Sequence, residues 1–224
     1  MILGSVLSLS VRSARALLPA CTETAEALAG LGLAGDIHAD ALSPRQLLLA
    51  SAAAYADLHL PPHALRENLL LDIDTAPLAS GTVLQVGEAR IRLMFQCEAC
   101  GQLDASQAGL SARIGARRGM LARVVTGGAI RAGDPVRDLG VRLPAWPEDW
   151  RERVRQVLDA VPAGCVLEYR QLARLAGIQS SYCRAFPRAI ARLGDRYAAR
   201  AVSSQSASPL ARWSGEGLFD LATT

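Results

Sequence analysis

Short segments that alternate apolar and polar residues with a period of two, closed by glycine turns, recur through the first 140 residues. Such a pattern dictates half-buried strands. Thr82-Val-Leu-Gln-Val86 and Ala89-Arg-Ile-Arg-Leu-Met94 flank Gly87-Glu88, the arrangement of a hairpin. Val6-Leu-Ser-Leu-Ser-Val11 has strand composition, and Leu121-Ala-Arg-Val-Val125 runs into a turn at Gly127-Gly128. One helix is expected here: Ser43 caps it, Pro44 takes its first position, and it continues through Arg45–Leu58. Evenly spaced strands with few helices point to a closed β-barrel or a sandwich.

The pattern changes near residue 141. Val141-Arg-Leu-Pro-Ala-Trp-Pro147 carries two prolines and reads as a linker. Beyond it, Trp150, Val154, Val157 and Leu158 recur at helical spacing after an acidic start at Pro147-Glu-Asp. A short strand is expected at Cys165-Val-Leu-Glu168 and a helix at Tyr169–Ala176, stopped by Gly177. A third helix, capped by Ser180 or Ser181, is expected over Tyr182–Leu193. Helices followed by a β-wing make a winged helix–turn–helix. The expected class is therefore α+β: a β-barrel domain over 1–141, a linker over 142–147, and a winged-helix domain over 148–224.

Composition removes several chemistries. All 24 basic residues are Arg and none is Lys. Covalent pyridoxal phosphate, a Lys nucleophile and a Walker-type phosphate loop are excluded. Five cysteines, an odd count in a chain too large to need disulfides, fit a reducing, cytoplasmic setting. No apolar run is long enough for a membrane span, and no basic residue precedes the first apolar stretch as a secretory signal requires. Charge is uneven: eight Arg face only Asp195 between residues 170 and 212.

Gln96-Cys97-Glu98-Ala99-Cys100-Gly101 follows directly on a strand. Two cysteines at this spacing suit half a zinc site, a redox pair, one reactive thiol, or two small half-buried apolar residues. Zinc wants four ligands, and His38, His59 and His63 form no partner pair with a second such motif, so no zinc is expected. A reactive thiolate would need a neighbouring cation, and Arg117 and Arg118 are the candidates in sequence. Asp36 and His38 sit in a glycine-rich turn, and Arg66-Glu-Asn68 lies between a helix and the next turn; each also reads simply as surface polar groups.

Gly35-Asp-x-His38, Arg45-Gln46, Arg66-Glu-Asn68, Leu78-x-x-Gly81, Cys97-Glu-Ala-Cys100-Gly, Arg117-Arg-Gly-Met-Leu-Ala-Arg-Val124 and Gly133-Asp134 follow one another in order. Together they resemble the MOSC domain, named for the C-terminal domain of molybdenum cofactor sulfurase. The resemblance implies a β-barrel with one cysteine on the floor of a groove, carrying a persulfide sulfur or ligating molybdenum held by molybdopterin. By position that cysteine is Cys100, with Cys97 second. Many relatives carry Pro before it, where this chain has Ala99. The implied partners are molybdopterin or a persulfide donor, with an external electron donor for any reduction of N-hydroxylated compounds. Arg66, Asn68, Arg117 and Arg118 would meet the anionic cofactor, and Asp36 and His38 would move protons or orient a ligand.

The second part resembles the DNA-binding domain of O6-alkylguanine-DNA alkyltransferases, through Pro162-Ala-Gly-x-Val166, Tyr169-Arg-Gln-Leu-Ala173, Ala176-Gly177, Cys183-Arg-Ala185 and Arg200-x-Val202. Aligned on Arg200, the acceptor cysteine and its histidine are replaced by Ala198 and Ala199, which excludes alkyl transfer. The implied remnant is a binding module for double-stranded DNA. Tyr169 and Arg184 would stand where that family handles a flipped base. Arg170, Arg188 and Arg200 would neutralise phosphates. Arg184, Arg188 and Arg192 would share one helical face, although Pro187 interrupts that helix. A non-enzymatic nucleic-acid-binding protein is thus the alternative to a sulfur or molybdenum-cofactor protein.

Overall fold

The computed structural model describes residues 1–14 and 16–220; the side chains of Ser180 and Ser181, and so the caps expected of them, lie outside the described residues. The chain divides into two compact units, one formed by Met1–Ala41 with Arg45–Trp146, the other by Leu42–Pro44 with Pro147 onward. The class is mixed α and β.

The first unit contains β1 (Ile2–Val11), β2 (Ala20–Thr22), β3 (Thr24–Leu28), β4 (Gly32–Leu33), β5 (Leu47–Ser51), α1 (Ala52–Leu58), β6 (Leu69–Leu71), β7 (Thr82–Val86), β8 (Ala89–Gln96), α2 (Leu110–Arg113), a 3-10 turn at Gly115–Arg118, β9 (Met120–Thr126), β10 (Gly128–Arg131) and β11 (Pro135–Arg142). Seven strands run in the order β11-β7-β8-β9-β5-β6-β1, and β1 pairs back onto β11 to close a barrel. Closure leaves these seven strands without a free edge. The pair β5–β6 is parallel, and the other pairs of the ring are antiparallel. The hairpin expected at Gly87-Glu88 forms with Val86 opposite Ala89, and Gly87 supplies the positive φ of 57° that its turn needs. Inward residues of alternate positions, among them Leu47, Leu49, Leu84, Ile91, Leu93, Ala122 and Val124, fill the barrel.

The helix expected over Arg45–Leu58 is corrected. Its first part is the central strand β5, and only Ala52–Leu58 is helical, capped by Ser51, whose hydroxyl accepts from the Ala53 N–H at 3.2 Å. Every residue of β5 is buried. Leu47 and Leu49 face the barrel, whereas Ala50 faces a second apolar cluster with Leu58, Leu65, Leu103, Leu110 and Ile114. A strand covered on both sides has no polar face, so the run Leu-Leu-Leu-Ala carries no period-two signal and cannot be told from a buried helix by pattern.

The second unit holds α3 (Trp150–Asp159), β12 (Cys165–Glu168), α4 (Tyr169–Leu175), a 3-10 turn at Ser180–Ala185, α5 (Phe186–Ala191), α6 (Asp195–Ala198), β13 (Ala201–Val202) and β14 (Ala211–Arg212). Asp149 caps α3, accepting from the Arg151 N–H at 2.8 Å. Its core gathers Val157, Leu158, Leu167, Leu172, Phe186 and Ile190. Arg153 is fully buried here and donates to the carbonyls of Ala176, Pro147 and Glu148 at 2.8–3.1 Å.

Two expectations change in this unit. The single helix expected over Tyr182–Leu193 is a 3-10 turn followed by α5, and Pro187 falls in the first turn of α5. There its missing N–H costs nothing, because first-turn donors have no intrahelical partner. The expected β-wing is not found among the described residues: β13 and β14 each pair in parallel with β12 instead of forming a hairpin with one another.

Candidate functional site

The cysteine motif leaves the barrel at the end of β8. The Cys97 N–H donates to the carbonyl of Gly119 at 2.8 Å, which fixes the start of the segment against the residue that precedes β9. Gly119 has φ 110° and ψ 169°, a conformation reserved to glycine. Cys97 is buried, 5% exposed, and Cys100 is half-buried. Arg45 reaches them from the start of β5. Its Nη2 lies 3.4 Å from Cys97 Sγ, its Nη1 donates to Glu98 Oε2 at 2.7 Å, and its guanidinium stands 5.7 Å from the Phe95 ring centroid. Burial works against that positive charge. The neighbouring Cys97, Glu98 and, more weakly, Cys100 outweigh it and hold Arg45 protonated beyond its ordinary range.

The cation beside the cysteines is therefore Arg45, not the expected Arg117 and Arg118. Arg117 Nη2 turns to the Arg113 carbonyl at 3.0 Å, closing the 3-10 turn after α2. Arg118 is buried, with Nη1 donating to the Leu65 carbonyl at 2.7 Å and Nε without a hydrogen-bond partner among the described residues. Nearby, Tyr55 donates to Glu67 at 2.6 Å and accepts from the Leu65 N–H at 3.2 Å. Burial and the Glu67 charge push the Tyr55 hydroxyl far above its usual range, so it stays a proton donor. These contacts pin a loop in which His59, His63 and Arg66 all take positive φ, 51°, 58° and 54°. Arg66 leaves that loop toward Gln102. With the Gln102 amide oxygen turned to it, Nη1 and Nη2 donate at 2.7 and 3.3 Å.

Asp36, His38 and Asn68 form a separate group with Arg12. Asp36 Oδ2 accepts from the Arg12 N–H at 2.9 Å and from Asn68 Nδ2 at 3.0 Å. Its Oδ1 takes the His38 N–H at 2.8 Å and faces His38 Nδ1 at 3.0 Å. Burial raises the Asp36 carboxyl. The bonds from the His38 ring, the Arg12 N–H and the His38 N–H, together with the His38 charge, win and hold it below the ordinary carboxylate range. Asn68 is spent structurally: Nδ2 also donates to the Ser10 carbonyl at 3.2 Å, and Oδ1 accepts from the Leu48 N–H at 3.0 Å. The exposed face of this group is His38, whose Nε2 lies 3.2 Å from Arg12 Nη2.

In the second unit Arg170, Arg184 and Arg188 are exposed, as is Arg192. None of the four has an ion-pair partner among the described residues. Because Arg184 lies in the 3-10 turn and Arg188 in α5, the single helical face expected for Arg184, Arg188 and Arg192 does not exist. Arg200 is not a free phosphate ligand: its Nη1 donates to the carbonyls of Leu158 and Asp159 at 2.7 and 3.3 Å, closing the C-terminal end of α3. Tyr169 is half-buried, edge-on to Phe186 with centroids 6.1 Å apart.

A closed barrel with a cysteine segment at one strand end is the architecture found here, and residues 37–137 match the profile of the MOSC domain. The chain carries a MOSC domain over those residues. Among solved structures it is similar to the YuaD protein from Bacillus subtilis, with 15% identity and a TM-score of 0.54 over 59% of this chain and 93% of that one. It is also similar to a protein described only as hypothetical, with 20% identity and a TM-score of 0.53 over 87% and 94% of the two chains. YiiM from Escherichia coli matches with 18% identity and a TM-score of 0.49 over 85% and 96%. The first two show likeness of fold. No curated protein matches the chain. Among the described residues no group of three or more His, Cys, Asp or Glu is placed to hold a metal ion, and no helix is long and apolar enough to cross a membrane.

Proposed function

We propose that the barrel unit is a sulfur-handling module related to molybdenum-cofactor chemistry, with Cys100 as the sulfur-carrying or metal-ligating thiol. The observation that carries this reading is the cation at the cysteine segment, since Arg45 touches Cys97 and Glu98, on the segment that ends in Cys100. A thiolate is the nucleophile toward sulfane sulfur, and it needs a counter-charge of this kind. When a persulfide donor R–S–S⁻ arrives, the Cys100 thiolate attacks the outer sulfur, the S–S bond breaks, and R–S⁻ leaves. Half-exposed Cys100 is the thiol a donor can reach, whereas Cys97 is buried.

The same reading extends to molybdopterin: Cys100 would offer a soft thiol to a soft metal–sulfur group, and Arg45, beside the cysteines, and Arg66 would offer forked cations to an anionic ligand. Bound there, the cofactor would supply a two-electron centre, for which the electrons come from an external donor. The residues of this chain would bind and orient it, with Arg66 held at a positive φ and His38 exposed at the surface, its ring fixed by Asp36 and Arg12. Reduction of N-hydroxylated compounds belongs to this reading. Cys100→Ser should lose the mass of one added sulfur atom after treatment with polysulfide, by mass spectrometry of the segment between Arg92 and Arg113. Unchanged loading on that segment would reject Cys100 as carrier.

A second reading rests on four exposed Arg of the other unit that have no ion-pair partner among the described residues: an alkyltransferase-like module that binds double-stranded DNA through Arg170, Arg184, Arg188 and Arg192, with Tyr169 next to Arg170 in the chain. Four phosphate contacts imply a log–log salt slope of about −3 to −4. A gel shift or anisotropy titration with a duplex checks this, and a flat response to salt would end it.

A further inference from the structure

We propose that Cys97 is a resolving thiol for Cys100, so that carried sulfur leaves as hydrosulfide and a Cys97–Cys100 disulfide closes. The proposal rests on the reading of Cys100 as a persulfide carrier. Three observations support it. First, exposure is unequal: Cys97 is 5% exposed and Cys100 is half-buried. An external donor can meet Cys100, whereas Cys97 is accessible mainly to groups on its own segment. Second, the cation is shared. Arg45 Nη2 lies 3.4 Å from Cys97 Sγ, so the buried sulfur has the counter-charge that a thiolate requires. Burying such a charge without a partner would be costly.

Third, the segment is held at both ends, with the Leu103 N–H donating to the Cys100 carbonyl at 3.0 Å, and has no helix or strand between them. Gln96 Nε2 donates to the carbonyls of Thr75 and Ala76 at 3.1 and 3.2 Å, and the Cys97 N–H is bound to Gly119, which anchors the Cys97 end. Residues 97–100 belong to no helix or strand, Glu98 and Ala99 are exposed, and Gly101 faces open space. A disulfide needs its Cα atoms within about 4–7 Å, which a four-residue segment outside regular structure can reach.

The step balances. The Cys97 thiolate attacks the inner sulfur of the protonated persulfide, Cys100 Sγ. A Cys97 Sγ–Cys100 Sγ bond forms, the bond to the outer sulfur breaks, and HS⁻ leaves with the electron pair and the proton. The sulfane sulfur is reduced to sulfide, and the two cysteine sulfurs are oxidised together to the disulfide. A dithiol reductant, of the small-molecule or protein class, then restores both thiols by exchange.

Both cysteines lie on one segment bounded by Arg92 and Arg113, so cleavage after Arg isolates them together. The full chain is loaded with sodium polysulfide, freed of excess donor, and followed for sulfide release and for the mass of that segment. Wild type should release about one equivalent of sulfide as the segment loses two hydrogens and its alkylatable thiols. Cys97→Ser should keep the persulfide on Cys100 and release at least tenfold less sulfide over the same time. Cys97→Ala serves as a second variant, because Ser places a hydroxyl in a buried site. A wild-type persulfide as long-lived as that of both variants would overturn the resolving role and leave the carrier reading standing. Absence of persulfide on Cys100 in either variant, with no disulfide in wild type, would overturn the carrier reading itself.

Discussion

Gly119→Ala should destabilise the barrel by about 3 kcal/mol or more, since a glycine-only backbone conformation alone costs about 1–3 kcal/mol for another residue and a steric clash adds to it. At φ 110° and ψ 169° the residue sits outside the regions open to alanine. An added Cβ would stand 2.3 Å from the Leu49 carbonyl oxygen and 3.2 Å from Leu48 Cδ1. Leu49 pairs with Met120, so relief of that clash must part β5 from β9 at the base of the cysteine segment. The Gly119 carbonyl would shift as well, and with it the 2.8 Å bond that anchors Cys97. Two readouts should therefore move together: a lower urea midpoint, and faster alkylation of Cys97, which is shielded in wild type. Gly101→Ala is the matched control, because its Cβ would meet nothing within 4 Å. A Gly119→Ala protein with wild-type stability would show that the close approach is not a constraint.

The dependence of Cys97 on Gly119 illustrates what the sequence could and could not disclose. The hairpin of β7 and β8 was legible because one face of each strand is polar and Gly87-Glu88 marks the turn. Strand β5 was not, because its two faces are covered by different apolar clusters, so the cue that separates strand from helix is missing. Pro187 was legible as a breaker, but its place in the first turn of α5 depends on the 3-10 turn ahead of it, which no periodicity marks. The cysteines were visible as a motif, whereas their cation was not. Arg117 and Arg118 are near Cys100 in sequence, yet the turn after α2 directs them to the carbonyls of Arg113 and Leu65. Arg45 is far away in sequence and arrives through topology, because β5 pairs with β9 and β9 with β8, the strand that ends in the cysteine segment. The Arg45-Gln46 pair belongs to the MOSC-like pattern, but nothing local assigns Arg45 to a thiol.

Asp36→Asn, an isosteric change, should cost about 2–4 kcal/mol at neutral pH, and the cost should shrink on acidification. Asp36 Oδ2 accepts from two donors, the Arg12 N–H and Asn68 Nδ2. An amide placed in the same volume can accept on one side only, so at least one of these donors, or the His38 N–H, loses its acceptor. Each such loss in a buried site costs about 1–3 kcal/mol. Asn68 cannot turn away to compensate, since its other amide bonds hold Ser10 and Leu48 and with them β1 and β5. The pH dependence follows from the direction of the Asp36 shift. Its folded-state pKa lies below the ordinary value, so its contribution is complete above about pH 4, the unfolded carboxylate range, and is lost as pH falls through the lower folded-state value. The Asn variant has no such group. The gap between wild type and variant should therefore narrow in acid, as wild type loses the part of its advantage that comes from the ionised carboxylate. Urea unfolding across the acid range measures this directly, and a gap that stays constant through the carboxylate titration would remove Asp36 as its source.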